Sequence, residues 1–101
     1  MVYVTATSKA EAEKITHVLL DEHLIACVNI IGPVTSHFPW EGQIISAEEY
    51  LLIMKTDTRL FASLEKRVRA LHSYTVPEVI AVPIIEGSKN YFNWLTTVLN
   101  C

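Results

Sequence analysis

The sequence predicts an α+β domain with ferredoxin-like topology, extended by an extra hairpin and a C-terminal helix. Two strand–helix–strand units follow each other between Val2 and Ile85, which is the order of the double split β–α–β arrangement, with both main helices on one face of a single sheet. The chain has 101 residues, a length that suits one domain over residues 1–101. Half of the residues are hydrophobic and 19% are charged, and this composition excludes intrinsic disorder.

The first unit is predicted from residue type, capping and periodicity. Val2–Ala6 is β-branched and aromatic and therefore predicts a strand. Ser8 and Glu11 have the spacing of a capping box, in which each side chain bonds the other's backbone N–H. Apolar residues then recur at helical spacing, so a helix is predicted over residues 9–22. The nearly continuous apolar run 24–31 predicts the second strand.

The middle of the chain predicts a bent hairpin. Gly32-Pro33 is expected to break or bend the second strand. Residues 35–46 alternate aromatic and polar side chains around a predicted turn at Trp40–Gln43, which indicates an extended arm or a hairpin. Pro39 places the first half of this segment at a sheet edge because proline cannot donate to a ladder. The apolar run Glu49–Thr56 predicts a further strand.

The second unit repeats the same order of elements. Asp57 or Thr58 can cap a second helix, whose apolar positions recur at helical spacing as far as Leu71. This helix is expected to end near residues 72–74. Residues 79–85 predict the last strand, and Ser88 can cap a short third helix.

The strands themselves predict self-association. They do not alternate apolar and polar residues, so the sheet is expected to be buried on both faces. Two helices cover one face, and the third helix, about 15 Å long, is too short to form another layer. A second copy of the same sheet is the simplest cover, so a homo-oligomer is predicted.

Charge and motifs exclude several classes of function. The formal net charge is −3, which argues against a nucleic-acid binder because neutralising phosphates needs a basic surplus. No phosphate-binding glycine loop, nucleophile elbow or metalloprotease motif is present, and we therefore predict that the chain is not an enzyme. The two cysteines give no disulfide framework, residues 1–14 lack the features of a signal peptide, and no apolar run is long enough for a membrane helix. A cytoplasmic protein with no membrane partner is expected.

Several strings of residues, in a shared order and spacing from the first strand to the third helix, resemble the CutA family of divalent-cation tolerance proteins. The strings are Ala26–Ile30, Val34–Ser36, Trp40–Gly42, Leu52–Thr56, Leu71–Tyr74, Val76–Ala81, Pro83–Ile84 and Tyr91 followed by Asn93–Leu95. The resemblance implies a ferredoxin-like subunit in a compact homotrimer, built like the PII signalling proteins. It also implies a role in tolerance to copper and other divalent metals, with copper bound as a ligand and no enzymatic activity.

The candidate metal ligands are His72 and Glu78. Where the family has an assigned copper site, the resemblance aligns its first-strand Cys and His-His pair with Val4, Leu71 and His72, so only His72 carries a ligand. Imidazole is a common ligand for copper and zinc, and Glu78 is the carboxylate expected nearby. The alternative for His72 is a capping role at the end of the second helix. Cys27 is interpreted mainly as packing, and His37, like the remaining histidines and Cys101, as a surface residue.

The candidate interface residues are Trp40, Glu41, Tyr74 and Trp94. Large aromatic side chains dominate interface energetics, and Trp40 in the predicted hairpin is the best anchor. Glu41 is expected close to a cleft between subunits. The sequence therefore supports two functions: a CutA-like trimer that binds a divalent metal such as copper, or a PII-like regulatory or scaffold trimer that binds a small ligand or protein partner in these clefts without specific metal binding.

Overall fold

The computed structural model describes residues 1–100, so the predicted thiol of Cys101 lies outside the described residues. A short 3-10 turn at Thr58–Leu60 precedes the second helix. None of the helices in residues 1–100 is long and apolar enough to cross a membrane. The elements are β1 (Val2–Ala6), α1 (Lys9–Asp21), β2 (Cys27–Trp40), β3 (Gln43–Lys55), α2 (Phe61–Leu71), β4 (Val79–Ala81) and α3 (Lys89–Leu99).

The four strands form one antiparallel sheet in the order β2-β3-β1-β4, which confirms the predicted ferredoxin-like topology. The first strand lies in the interior of the sheet: Val2 pairs with Met54 of β3 on one side and with Ala81 of β4 on the other. β2 is an edge strand, as the position of Pro39 predicts.

One face of this sheet carries the hydrophobic core. Alternate residues of β1 and β3 point to this face and are fully buried, because side chains on a strand alternate between its two sides. Side chains of α1 and α2 complete the core. Its members include Val2, Val4, Leu52 and Met54 from the strands and Ile15, Leu19, Leu64 and Val68 from the helices.

The opposite face of the sheet, which we call the open face, is apolar and only partly covered. The strand pairings place Ile53 between Asn29 and Tyr3, with Ile80 next to Tyr3. Ile80 remains 49% exposed, and Ile31 on the same face is 47% exposed. The members of the open face used below are Tyr3, Ile31, Leu51, Ile53 and Ile80. The chain buries one face of its sheet and leaves the other available for association.

β2 and β3 form one long hairpin, and of the two outcomes expected at Gly32-Pro33, a break or a bend, the structure shows the bend. Ile31 pairs with Leu51 and Val34 pairs with Glu49, so two residues of β2 oppose the single residue Tyr50. The two residues thus form a β-bulge, which bends the strand without ending it. Glycine is required there because a Cβ at Gly32 would overlap the Tyr50 ring.

The hairpin closes through the predicted turn at Trp40–Gln43. Its two central residues, Glu41 and Gly42, have φ angles of 50° and 79°, as a two-residue type I′ turn requires. We expect Glu41→Asn to raise the free energy of unfolding by about 0.5–1 kcal/mol, since asparagine tolerates this conformation better than glutamate. Gly42→Ala is expected to lower it by about 1 kcal/mol through backbone strain alone, because no atom lies within 4 Å of the added Cβ.

Urea denaturation of both variants measures this prediction. Equal stability of the wild type and Glu41→Asn would contradict the assignment of strain to Glu41.

β4 is shorter than the predicted strand 79–85. Its partner β1 begins at Val2, which pairs with Ala81, so the ladder ends there apart from Val82. The backbone N–H of Val82 donates to the Met1 carbonyl at 2.8 Å, and the Met1 amino group donates to the Val82 carbonyl at 2.7 Å. Beyond this point, Pro83 has no N–H to donate. The predicted cap of α3 is present, with Ser88 Oγ accepting from the backbone N–H of Tyr91.

Candidate functional site

A groove of about 620 Å³ lies where the distal half of the β2–β3 hairpin meets the loop that joins α2 to β4. Its lining residues include aromatic residues, two glutamates and one histidine. Those used below are Phe38, Trp40, Tyr74, Glu49, Glu78 and His37. We call this site the groove.

The bulge in β2 determines which residues reach the groove. Before it, Ile31 pairs with Leu51; after it, Val34 pairs with Glu49. Paired residues of neighbouring strands point to the same face, and the extra residue shifts the alternation of β2 by one. Phe38 and Trp40 therefore share a face with Glu49 and with the open face of the sheet.

Glu49 is the buried acidic residue of the groove. It is only 4% exposed, and its Oε2 accepts a hydrogen bond from the Tyr74 hydroxyl at 3.1 Å. Among residues 1–100, its Oε1 has no hydrogen-bond donor, and the carboxylate has no salt-bridge partner. Burial, the hydrogen bond to Glu49 and the charge of Glu49 raise the pKa of Tyr74. Glu49 is thus a largely buried residue whose Oε1 has no hydrogen-bond donor among residues 1–100.

His72 lies at the C-cap of α2 with a fully buried side chain. Its Nε2 is 2.6 Å from the carbonyl oxygen of Thr5, to which it must donate, and its Nδ1 accepts from the backbone N–H of Tyr74 at 2.9 Å. These partners assign the neutral Nε2–H tautomer. Neither nitrogen has a lone pair for a metal ion in this arrangement. The alternative prediction for His72, a cap on the last carbonyls of α2, also differs from the structure. The ring bonds β1 and the loop that follows α2 instead.

Glu11 fixes the beginning of the same loop. Its Oε1 accepts from the backbone N–H of Thr7 at 3.0 Å, and its Oε2 accepts from the backbone N–H of Ser73 at 3.0 Å. Ser8 Oγ accepts from the Glu11 N–H as predicted, but the Glu11 carboxylate bonds Thr7 instead of Ser8. Burial by itself would raise the pKa of Glu11, but the hydrogen bonds from Thr7 and Ser73 lower it. Glu11 and His72 thus hold the loop that carries Tyr74.

The structure brings only some of the predicted site residues together. Glu78, Trp40 and Tyr74 line the groove, whereas His72 does not. Glu41 occupies the exposed turn, and Trp94 lies on α3 with its ring 5.6 Å from that of Tyr91.

Sequence reasoning missed two residues that line the groove, Glu49 and His37. A carboxylate at the start of the apolar run 49–56 is the one signal that could have identified Glu49. His37 is a lining residue, but it pairs with Ser46 and so points to the face of the hairpin opposite Glu49, where its Nδ1 lies 3.2 Å from Ser46 Oγ.

The donors of residues 1–100 do not complete a metal site. No group of three or more His, Cys, Asp or Glu side chains in residues 1–100 is arranged to hold a metal ion. Copper and zinc take several protein ligands, commonly three or four. A resident metal would therefore need donors from another copy of the chain.

Comparison with known proteins identifies the family. Residues 1–98 match the family model described as CutA1 divalent ion tolerance protein. The chain belongs to the CutA1 family. The divalent-cation tolerance protein CutA of Thermus thermophilus is 45% identical over 95 residues, which cover 94% of this chain and 92% of the relative. The structure named periplasmic divalent cation tolerance protein CutA from Archaeoglobus fulgidus superposes with a TM-score of 0.95 at 44% identity, covering 97% of this chain and 95% of that one.

A plant relative of this CutA1 chain extends beyond the shared region. The protein of Arabidopsis thaliana named Protein CutA, chloroplastic, is 44% identical over 95 residues, which cover 94% of this chain and 52% of the plant protein. The names of relatives thus mention both the chloroplast and the periplasm. The cytoplasmic location expected from the sequence is therefore not general among proteins of this fold.

Proposed function

We propose that this CutA1 chain acts in divalent-cation tolerance as a homotrimer of one CutA-like domain over residues 1–101. The observation that carries the trimer is the apolar open face, on which Ile31 and Ile80 are about half exposed and Ile53 is only partly buried within one chain. Apolar surface of this kind favours association because burying it is worth roughly 25 cal/mol per Å². In a symmetric trimer whose open faces point inward, the open face of every copy is covered in the same way.

The proposed ligand is copper or another divalent cation, bound between subunits. Glu78 is an exposed residue of the groove lining and supplies one carboxylate. Donors from a neighbouring copy would join the Glu78 carboxylate, since no group of three or more potential ligands is arranged for a metal ion among residues 1–100. We assign His72 a positioning role because both ring nitrogens are engaged.

The interface of the proposed trimer includes Trp40, Glu41, Tyr74 and Trp94. Trp40 is 53% exposed, and Trp94 and Tyr74 are exposed as well. Exposed aromatic residues of this kind are typical interface anchors. Glu41 contributes through the turn at the end of the hairpin, where its exposed side chain can reach another copy.

Native mass spectrometry with increasing Cu(II) tests the metal proposal. We expect a trimer that takes up a fixed number of ions per subunit, with uptake lost in Glu78→Gln and retained in Glu48→Gln, whose carboxylate lies on the other side of β3. His72→Gln is expected to keep copper uptake and to lose about 1–2 kcal/mol of stability through a broken hydrogen bond. If His72→Gln lost copper uptake without losing stability, His72 would be a metal ligand.

A second candidate function is favoured by the groove itself. We propose as this alternative a PII-like regulatory or scaffold trimer that binds a small ligand or protein partner in its clefts without specific metal binding. The supporting observation is the buried carboxylate of Glu49 beside aromatic rings. Graded copper uptake that no variant changes would favour this alternative.

We further propose a cytoplasmic, non-enzymatic role. Binding rather than catalysis is supported by the family name, which refers to ion tolerance. The free thiol of Cys27 is compatible with a reducing compartment.

A further inference from the structure

We propose that the groove binds a small organic molecule with a primary ammonium group, held by the Glu49 carboxylate beside the rings of Trp40 and Tyr74. This inference deepens the ligand-binding alternative, on which it rests, and is independent of metal binding. The first argument is electrostatic. A buried carboxylate is costly unless it is paired, yet Glu49 receives only the hydroxyl of Tyr74. The groove lining contains no Lys or Arg among the described residues, so no ammonium or guanidinium group of the lining neutralises Glu49.

The aromatic lining favours an organic cation over a metal ion. Phe38, Trp40 and Tyr74 line the groove together with apolar Ile45 and Val76. Aromatic faces attract ammonium groups through their quadrupole, whereas they give a divalent metal no donor atoms. Apolar walls would in turn bury the hydrocarbon part of an amine.

The free Oε1 of Glu49 favours a primary ammonium group over a quaternary one. Oε1 of Glu49 has no donor among residues 1–100 and is not sealed in the interior, so it can accept a hydrogen bond from a ligand in the groove. A primary ammonium supplies N–H donors and positive charge together, whereas a quaternary ammonium supplies charge alone. The groove volume of about 620 Å³ is within the ordinary range for small-molecule sites. The expected ligand is thus a primary amine with a small apolar or aromatic body.

Isothermal titration calorimetry in EDTA tests this proposal with phenethylamine as the probe. We expect saturable binding of phenethylamine, weaker binding of phenethyltrimethylammonium, and no measurable binding of phenethyl alcohol. Glu49→Gln keeps an acceptor for the Tyr74 hydroxyl but removes the charge, and we expect an affinity loss of about ten- to hundredfold. Glu48→Gln makes the same chemical change on the other side of β3 and is expected to bind like the wild type.

Trp40→Leu provides an independent variant at the exposed aromatic wall, with an expected loss of about threefold to tenfold. Three results would each overturn the proposal. The amine and the alcohol could bind equally, or Glu49→Gln could bind phenethylamine as tightly as the wild type does. The third is that phenethylamine does not bind because a neighbouring copy fills the groove. Because EDTA removes metal ions, these outcomes are distinguishable from the copper titration. A protein that binds phenethylamine but not copper supports the inference and rejects the metal proposal.

Discussion

Replacing Ile53 with glutamate is expected to convert the proposed trimer into a monomer. Ile53 lies at the centre of the open face, between Asn29 of β2 and Tyr3 of β1. In a trimer with this face inward, a carboxylate at position 53 would be buried without a partner, which costs several kcal/mol for each copy. A cost of about 3 kcal/mol per copy weakens association by at least two orders of magnitude.

Sedimentation velocity at micromolar concentration measures this effect. Leu20→Glu is the matched control, because Leu20 is partly exposed on α1, on the helical side of the sheet, and its replacement is expected to leave the assembly unchanged. A trimeric Ile53→Glu variant, or a wild type that persists as a folded monomer on dilution, would reject the role assigned to the open face.

The second large effect is expected for Glu11→Gln, with a loss of about 2–4 kcal/mol in the free energy of unfolding at neutral pH. The carboxylate accepts from both backbone and side chain of Thr7 and from the backbone of Ser73, and its side chain is only 12% exposed. An amide presents an NH₂ group to one of these N–H donors, so at least one hydrogen bond is lost and a donor is left unpaired. The loop that carries Tyr74 would lose its attachment to α1.

The stability that Glu11 contributes depends on pH. Its pKa is lower in the folded state than the ordinary value of 4.5, so the unfolded state binds more protons in this range. The contribution is therefore complete above about pH 4.5 and is lost as the pH falls through the folded pKa. Urea denaturation from neutral to acidic pH should show this loss in the wild type and in Glu13→Gln, an exchange on the same helix. A Glu11→Gln variant as stable as Glu13→Gln at neutral pH would contradict the prediction.

Most of the fold could be predicted because its signals are local. The spacing of Ser8 and Glu11 and the apolar periodicity of both helices depend on residues close in sequence, and the structure confirms the helices they predict. The predicted cap of α2 by Asp57 is wrong, because Asp57 caps the 3-10 turn that precedes this helix. The bulge at Gly32-Pro33 was less accessible, because glycine and proline can either end a strand or bend it. Only the pairing with β3 decides between these outcomes.

The candidate site was harder to predict because its contacts join distant parts of the chain. Glu49 acquires its role from Tyr74, which belongs to a loop beyond α2, and from a change in side-chain alternation at the bulge. His72 was a reasonable ligand by residue type, but its bonds to Thr5 and to the Tyr74 backbone become apparent only in three dimensions. Residue type predicted the chemistry available, and tertiary contacts determined which groups remained free.

The interior position of β1 has a consequence for synthesis of the chain. Val2 pairs with both Met54 and Ala81, so β1, which is synthesised before its two partner strands, completes its pairing only after the residues of β4 have emerged. Contacts between residues so far apart in sequence form slowly. Until then the apolar side chains of β1 are exposed, which is the condition in which a nascent chain is recognised by chaperones or aggregates. Most of the chain is therefore synthesised before this sheet can be completed.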